Sequence, residues 1–218
     1  MNYKNHTMND RWIVEHVFQY KKNGFFVEAG ACAGKGGSCT YVLEKHLGWV
    51  GILAEPADDW FLDLVQNRPN SRCFNVCLHD QNTEVDFVRF TESGFEGYSG
   101  IPQNWLGHST RIRKEWNSYE HKKSKKKAVT LEQLLIDGNA PSVIDYLALD
   151  IEKSEHKVLS VFPFDSYQFK AISIEGPTPP VLQIFKKNGY FRIDNPFTDT
   201  LTDGYFVHKD YFKIGYKV

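Results

Sequence analysis

The 218-residue sequence predicts an α/β protein built on a mostly parallel, doubly wound sheet that closes with an antiparallel strand. Three observations predict it. Short β-rich apolar runs alternate with longer segments of helical spacing, the pattern of repeated βαβ units. A glycine-rich stretch, FFVEAGACAGKGGS at residues 25–38, joins the first run to the first helical segment. Acids stand at the ends of several predicted strands, the edge beyond which ligands of such sheets sit.

The first predicted strand, Gly24–Ala29, is an apolar run that stops at the glycine loop. Ser38 follows the glycines as a natural N-cap for a helix over Ser38–Leu47. Val50–Ala54 is the second strand, and Asp58–Asn67 has helical spacing. Ser71–Cys77 and Val85–Thr91 are the next β-rich runs. Thr130 caps Leu131-Glu132-Gln133-Leu134-Leu135, predicting a helix over Thr130–Ile136. Strand Val143–Leu149, helix Ser154–Val161, strand Phe169–Glu175 and helix Pro179–Asn188 complete the alternation, and Tyr190–Asp194 with Tyr205–Lys209 form a final pair.

Length and composition fit a single domain over residues 1–218, with 41% hydrophobic and 24% charged residues. A formal net charge of -1 exerts no global pull on nucleic acid or anionic lipid. The start, MNYKNHTMNDRWIVEH, lacks the apolar core of a signal peptide, and no apolar run approaches the roughly 18 residues of a membrane span. The expected location is cytoplasmic, away from membranes. Cys32, Cys39, Cys73 and Cys77 form no C-x-x-C pair and read as reduced, with Cys32 inside the glycine loop. The one compositional break is His108–Lys127, with eight Lys or Arg against Glu115 and Glu120. It reads either as a solvated helix or basic insertion, or as a basic lip for an anionic substrate. Because the segment is +6 and the chain -1, the remainder is -7, which disfavours a nucleic-acid-binding module.

The glycine loop is not a phosphate-binding P-loop. Gly30 to Gly34 is one residue too short, and Lys35 is followed by Gly36 where a hydroxyl should bind magnesium. The dinucleotide fingerprint fails as well, since Cys32 or Cys39 occupies a glycine position in either register. Glu28, at the end of the first strand, would also meet a pyrophosphate with like charge. A cofactor cationic at that end and free of phosphate removes the conflict, and S-adenosylmethionine is one. Its carboxylate can accept bonds from loop amides or a helix start, so Glu28, Gly30, Ala31, Gly34 and Ser38 are the candidate residues at its methionine end. Glu55 ends the second strand, where a carboxylate can bind a ribose diol or else cap the next helix, and Asp80 follows the third, where an acid could meet the adenine amino group or else belong to a plain turn.

With these residues in place, the chain resembles the FkbM-type methyltransferase family from about Gly24 to Lys209. The marks are FVEAGACAGKGGSCTYVLEKHLGWVGILAEP at 26–56, AVTLEQLL, IDYLALDIEKSEHKVL at 144–159 and ISIEGP. The resemblance implies a Rossmann-like class I methyltransferase fold that binds S-adenosylmethionine and methylates hydroxyls, often on sugars or glycosylated metabolites. Two departures stand out. The family often has an acid near Ala33, and it commonly reads D-x-E-G where this chain reads Asp150-Ile151-Glu152-Lys153.

Methyl transfer to oxygen needs alignment and the removal of one proton. Asp150 is the candidate for cofactor positioning or base work, Glu152 for base or acceptor ligand, and Glu175 for the acceptor pocket. The alternative for Asp150 and Glu152 is capping of the following helix. A divalent metal on Asp150, Glu152 and Glu175 is possible, since paired carboxylates suit one. His79, His108 and His156 are further candidate bases, and Phe95, Tyr98 and Trp105, in and beside a glycine-rich loop that could close as a lid, are candidate contacts for a sugar ring. The acceptor is expected to be a glycan or small molecule, with a non-sugar acceptor as the alternative.

Overall fold

The computed structural model describes residues 1–107, 114, 116–200 and 202–212. Its strands are β1 (Phe25–Ala29), β2 (Val50–Ala54), β3 (Arg72–Phe74), β4 (Cys77–Leu78), β5 (Thr83–Phe90), β6 (His121–Val129), β7 (Val143–Leu149), β8 (Gln168–Glu175), β9 (Tyr190–Arg192) and β10 (Asp203–His208). The α-helices are α1 (Asn9–Arg11), α2 (Tyr41–Leu47), α3 (Asp58–Asn67), α4 (Leu131–Asp137), α5 (Glu155–Ser160) and α6 (Pro179–Lys187).

Seven strands form the main sheet in the order β3-β2-β1-β7-β8-β10-β9. Neighbours from β3 to β8 are parallel, and β10 runs antiparallel to both β8 and β9. The crossovers reverse direction between β1 and β7, which makes that pair the switch point of a doubly wound sheet. This is the expected fold class.

Both faces are covered, so the central strands read as nearly continuous apolar runs. Alternate residues divide between two cores. Val27, Ala29, Leu147 and Leu149 pack with α4, α5 and α6, while Phe26, Tyr146 and Ala148 pack with α2 and the N-terminal segment. That segment carries no strong signal in the sequence. It forms α1 and a π-helical stretch, Trp12–Val17, and the fully buried Trp12 lies against Tyr146 and Tyr205 at ring distances of 6.3 and 5.0 Å.

Three expectations are corrected. Ser71–Cys77 is not one strand: β3 stays in the main sheet and β4 joins a separate three-stranded sheet, ordered β4-β6-β5. The end of the basic segment is neither helix nor loose insertion. Lys122–Lys127 lie in β6, in register with β5, and the remaining basic residues of that segment, Lys114 apart, lie outside the described residues. Lysine suits this strand because its outer positions are exposed, while Lys126 turns inward to Asp58. Finally, α2 begins at Tyr41 instead of Ser38, although the Ser38 hydroxyl still accepts the Tyr41 amide at 3.1 Å. Thr130 caps α4 as expected, accepting the Gln133 amide at 3.0 Å.

Candidate active site

The parallel register sets β1, β2 and β7 level, with Ala29 beside Ala54 and Leu149. Glu55 and Asp150 therefore emerge on either side of the β1 tip, and Glu175 ends β8 on the same edge. Because β10 runs the other way, its first residue lies there too, with Asp203 in register with Glu175. Glu55, Gly30, Asp150, Glu175 and Asp203 thus mark five adjacent strand tips, and all five line one cavity of about 380 Å³.

The glycine loop is held from both sides. Gly30 (φ 82°) presses so close to Asp150 that any Cβ there would collide with the Asp150 carbonyl oxygen. The Gly30 and Ala31 amides both donate to the Ala54 carbonyl, at 3.1 and 3.2 Å. Glu28 points from β1 to the same face as Phe26, as period-two alternation demands. There its carboxylate accepts the Ser38 hydroxyl at 2.9 Å, the Cys39 amide at 2.7 Å and the Thr40 hydroxyl. Behind it lies Arg68, whose side chain is fully buried. Its guanidinium reaches Glu44 at 2.9 Å, Thr40 at 2.8 Å, and the Gly34 carbonyl and Ser38 hydroxyl at 3.2 Å, and approaches Glu28 at 3.5 Å. Gly34 (φ 73°) packs on Leu64 and Arg68 and does not line the cavity; its role is to shape the loop.

Glu55 is buried, and each of its oxygens accepts a backbone amide at 2.8 Å, from Cys32 and from Ala57. Burial pushes its pKa up to about 7, against the pull of those two amides and of Arg89. Asp150 is exposed and opens onto the cavity. Loss of water around it, then the carboxylates of Glu175, Glu152, Glu155 and Asp203, hold its pKa well above the usual carboxylate range. Glu152 is raised to about 8 by burial and by Glu175, with Lys153 opposing. This end of the cavity is overloaded with negative charge and favours an incoming cation.

Asp80 lies outside the cavity lining, 2.7 Å from His79 Nδ1 and 3.9 Å from Lys157. Leu78, Cys77 and Val76 line the cavity in its place, with Trp60 and Phe87. His79 contacts Lys157 Nζ at 2.8 Å, His156 is exposed on α5, and His108 falls outside the described residues. Trp105 is buried against Phe90 and Trp116, and Phe95 stacks on Tyr119, so of the three expected aromatic contacts only Tyr98 lines the cavity. Cys32 lines it with a thiol pushed well up by burial and by Glu55.

Sequence reasoning missed Arg68, Glu155, Asp203 and an N-terminal wall of Asn5, His6, Thr7 and Asn9. Among the described residues His6 is the histidine that lines the cavity. Glu155 is buried and accepts the Ile151 amide at 3.0 Å. Among the described residues, Asp150, Glu155 and Glu175 are the acids whose oxygens all lie within 4.8 Å of one another, so Glu155 takes the place expected for Glu152 in any oxygen-ligand set. Also among the described residues, no helix is long and apolar enough to cross a membrane.

A seven-stranded sheet with this switch point and an antiparallel penultimate position, with an acid-rimmed cavity above β1 and β7, has the architecture of the class I methyltransferase fold. A family model described as "Methyltransferase FkbM domain" matches residues 28–191, most of the chain. The chain belongs to the FkbM methyltransferase family, and S-adenosylmethionine is the methyl donor that this membership implies. No curated protein matches it. Among solved structures it is similar to a TehB-like SAM-dependent methyltransferase from Corynebacterium glutamicum (9% identity, 92% of this chain and 88% of that one, TM-score 0.45). It is also similar to a precorrin-6y C5,15-methyltransferase from Geobacter metallireducens (8%, 87% and 81%, 0.41) and to a human methyltransferase 10 domain containing protein (11%, 94% and 84%, 0.43).

Proposed function

We propose that this methyltransferase acts on a hydroxyl oxygen, with a sugar or glycoconjugate as the preferred acceptor. The observation that carries the reading is the row of four acids, Glu55, Asp150, Glu175 and Asp203, flanking the Gly30 tip around one cavity. In this reading the loop of Gly30, Ala31 and Ser38, kept in shape by Glu28, Gly34 and Arg68, holds the methionine end of S-adenosylmethionine. Glu55 accepts the ribose hydroxyls, and Val76, Cys77 and Leu78 with Trp60 flank the adenine in place of Asp80. Asp150 faces the positive centre.

The bound cofactor supplies a methyl group already activated by its sulfonium. The chain must then place an acceptor oxygen in line with it and accept one proton. Glu152, with a pKa of about 8, is poised to take a proton from a hydroxyl in mildly alkaline solution. Glu175 orients the acceptor from the next strand tip. Tyr98, 40% exposed and on the cavity wall, offers a ring face to the apolar CH patches of a sugar.

Calorimetry with S-adenosylmethionine tests the placement. Glu55→Ala removes the diol acceptor and Gly30→Val forces a clash with Asp150, so each abolishes binding. Unchanged affinity in both variants would sink the placement, and a panel of glycosylated and non-glycosylated alcohols then decides the acceptor class.

A further inference from the structure

A cation is paired with one of the acids at the acceptor end of the cavity. Lys153 Nζ donates to Glu175 Oε2 at 2.9 Å, and Glu155 and Glu152 also act on it electrostatically. Around it, Asp150, Glu155 and Glu175 present oxygens within 4.8 Å of one another, a separation that suits the oxygen ligands of a divalent ion. Two adjacent side-chain-bearing residues are left-handed here, Glu152 at φ 53° and Lys153 at φ 72°. Glycine would take that conformation without strain, yet a lysine stands at the second position. Strain of this kind persists where the surroundings over-determine it and clusters at functional sites. Gly176 (φ 49°) completes the arrangement, because a Cβ there would stand 3.3 Å from Nζ and crowd the ammonium.

We infer that Lys153 is a positioning residue that stands in for a divalent metal: its ammonium neutralises and orients Glu175, so the carboxylates at the acceptor end work without a metal ion. A metal entering the triad must displace Lys153 from Glu175 and then face it as a like charge. The role in acceptor placement rests on the proposed methyltransferase reading of the cavity, whereas the competition between Lys153 and a metal rests on the charges alone.

The test is a Mn²⁺ titration of the full chain, followed by electron paramagnetic resonance, for wild type, Lys153→Gly, Lys153→Met, Lys153→Arg and the double variant Lys153→Gly/Glu155→Gln. Lys153→Gly relieves the left-handed strain, and Lys153→Met keeps a long side chain without charge. Both should bind Mn²⁺ at least about 100-fold more tightly than wild type, a conservative figure for removing a like charge at ion-pair distance. Lys153→Arg should match wild type, and Glu155→Gln in the double variant should cancel the gain. A lysine whose ammonium does not compete for the triad would leave Mn²⁺ affinity unmoved. Wild type binding Mn²⁺ as tightly as Lys153→Gly, or no gain in either neutral variant that melts cooperatively, overturns the inference. S-adenosylhomocysteine binding, measured on the same samples by calorimetry, judges the methyltransferase reading separately. Its absence in wild type would sink that reading and leave the Mn²⁺ result to decide the role of Lys153.

Discussion

Glu55 and Glu152 line the cavity with pKa values near 7 and 8, the first raised by burial and the second by burial and Glu175. In the proposed placement an arriving sulfonium favours the ionised form of each, so cofactor binding should release protons. The sign follows directly: in the free protein both acids hold protons below their raised pKa values, and those protons must leave for the cation to bind best. Affinity for S-adenosylmethionine should therefore rise as pH climbs from about 6 to about 9, by at most about tenfold per unit for each proton released. S-adenosylhomocysteine, which lacks the sulfonium charge, should show a shallower rise, and Glu152→Gln should flatten the upper part of the curve for the charged ligand. Calorimetry in two buffers of different ionisation enthalpy counts the protons; a pH-independent affinity for both ligands would contradict the electrostatic reading. Single residues of this kind were legible in the sequence when they ended a strand, as Glu28, Glu55, Asp150 and Glu175 do. Asp203 was not, because it begins a strand, and only the reversed direction of β10 brings it to the same edge.

At the scale of the element, the glycine loop depends on a side chain from the far end of another helix. Arg68 is the C-cap residue of α3, and its guanidinium joins Glu44, Thr40, Ser38 and the Gly34 carbonyl while approaching Glu28. Nothing in the sequence marks it, since a lone arginine after a helix usually points to water and its partners lie 24 to 40 residues away. The elements themselves were legible because apolar runs, caps and glycines are local signals. The β6 strand escaped because its outward positions carry lysines, so alternation is lost and only Lys126, Ala128 and Val129 are buried. Arg68→Met should cost about 3–5 kcal/mol of stability, since it leaves the buried carboxylates of Glu28 and Glu44 with their neutral donors but without a compensating cation. Arg68→Lys should recover only part, because an ammonium cannot span the same fork of acceptors. Urea unfolding measures both; a loss below about 1 kcal/mol for the methionine variant would mean that the loop holds its shape without the hub.

Across the whole molecule, the cavity is closed by a segment that precedes the family match at residue 28. Asn5 Nδ2 donates to the Gly37 carbonyl at 2.7 Å, tying the segment to the glycine loop. Thr7 and Asn9 donate to Asp203 at 2.9 and 2.8 Å, tying it to β10. His6 lies between those anchors and lines the cavity. The segment thus spans the cavity from the glycine loop to the tip of β10, a long-range arrangement that no local pattern in MNYKNHTMNDRW encodes. Removing residues 1–8 should open this wall and leave the Asp203 carboxylate without the Thr7 hydroxyl. Asp203→Ala should act on the same strap from the other side by taking away the acceptor that Thr7 and Asn9 share. Both variants should keep the two main cores and unfold cooperatively, yet bind S-adenosylhomocysteine at least about tenfold more weakly, a loss of about 1.4 kcal/mol. At a ligand concentration about 100 times the wild-type dissociation constant, wild type should gain about 2.7 kcal/mol of stability, and each variant visibly less. Thermal melts with and without ligand make the comparison, and equal ligand-induced shifts in all three proteins would show that the strap covers the site without contributing to binding.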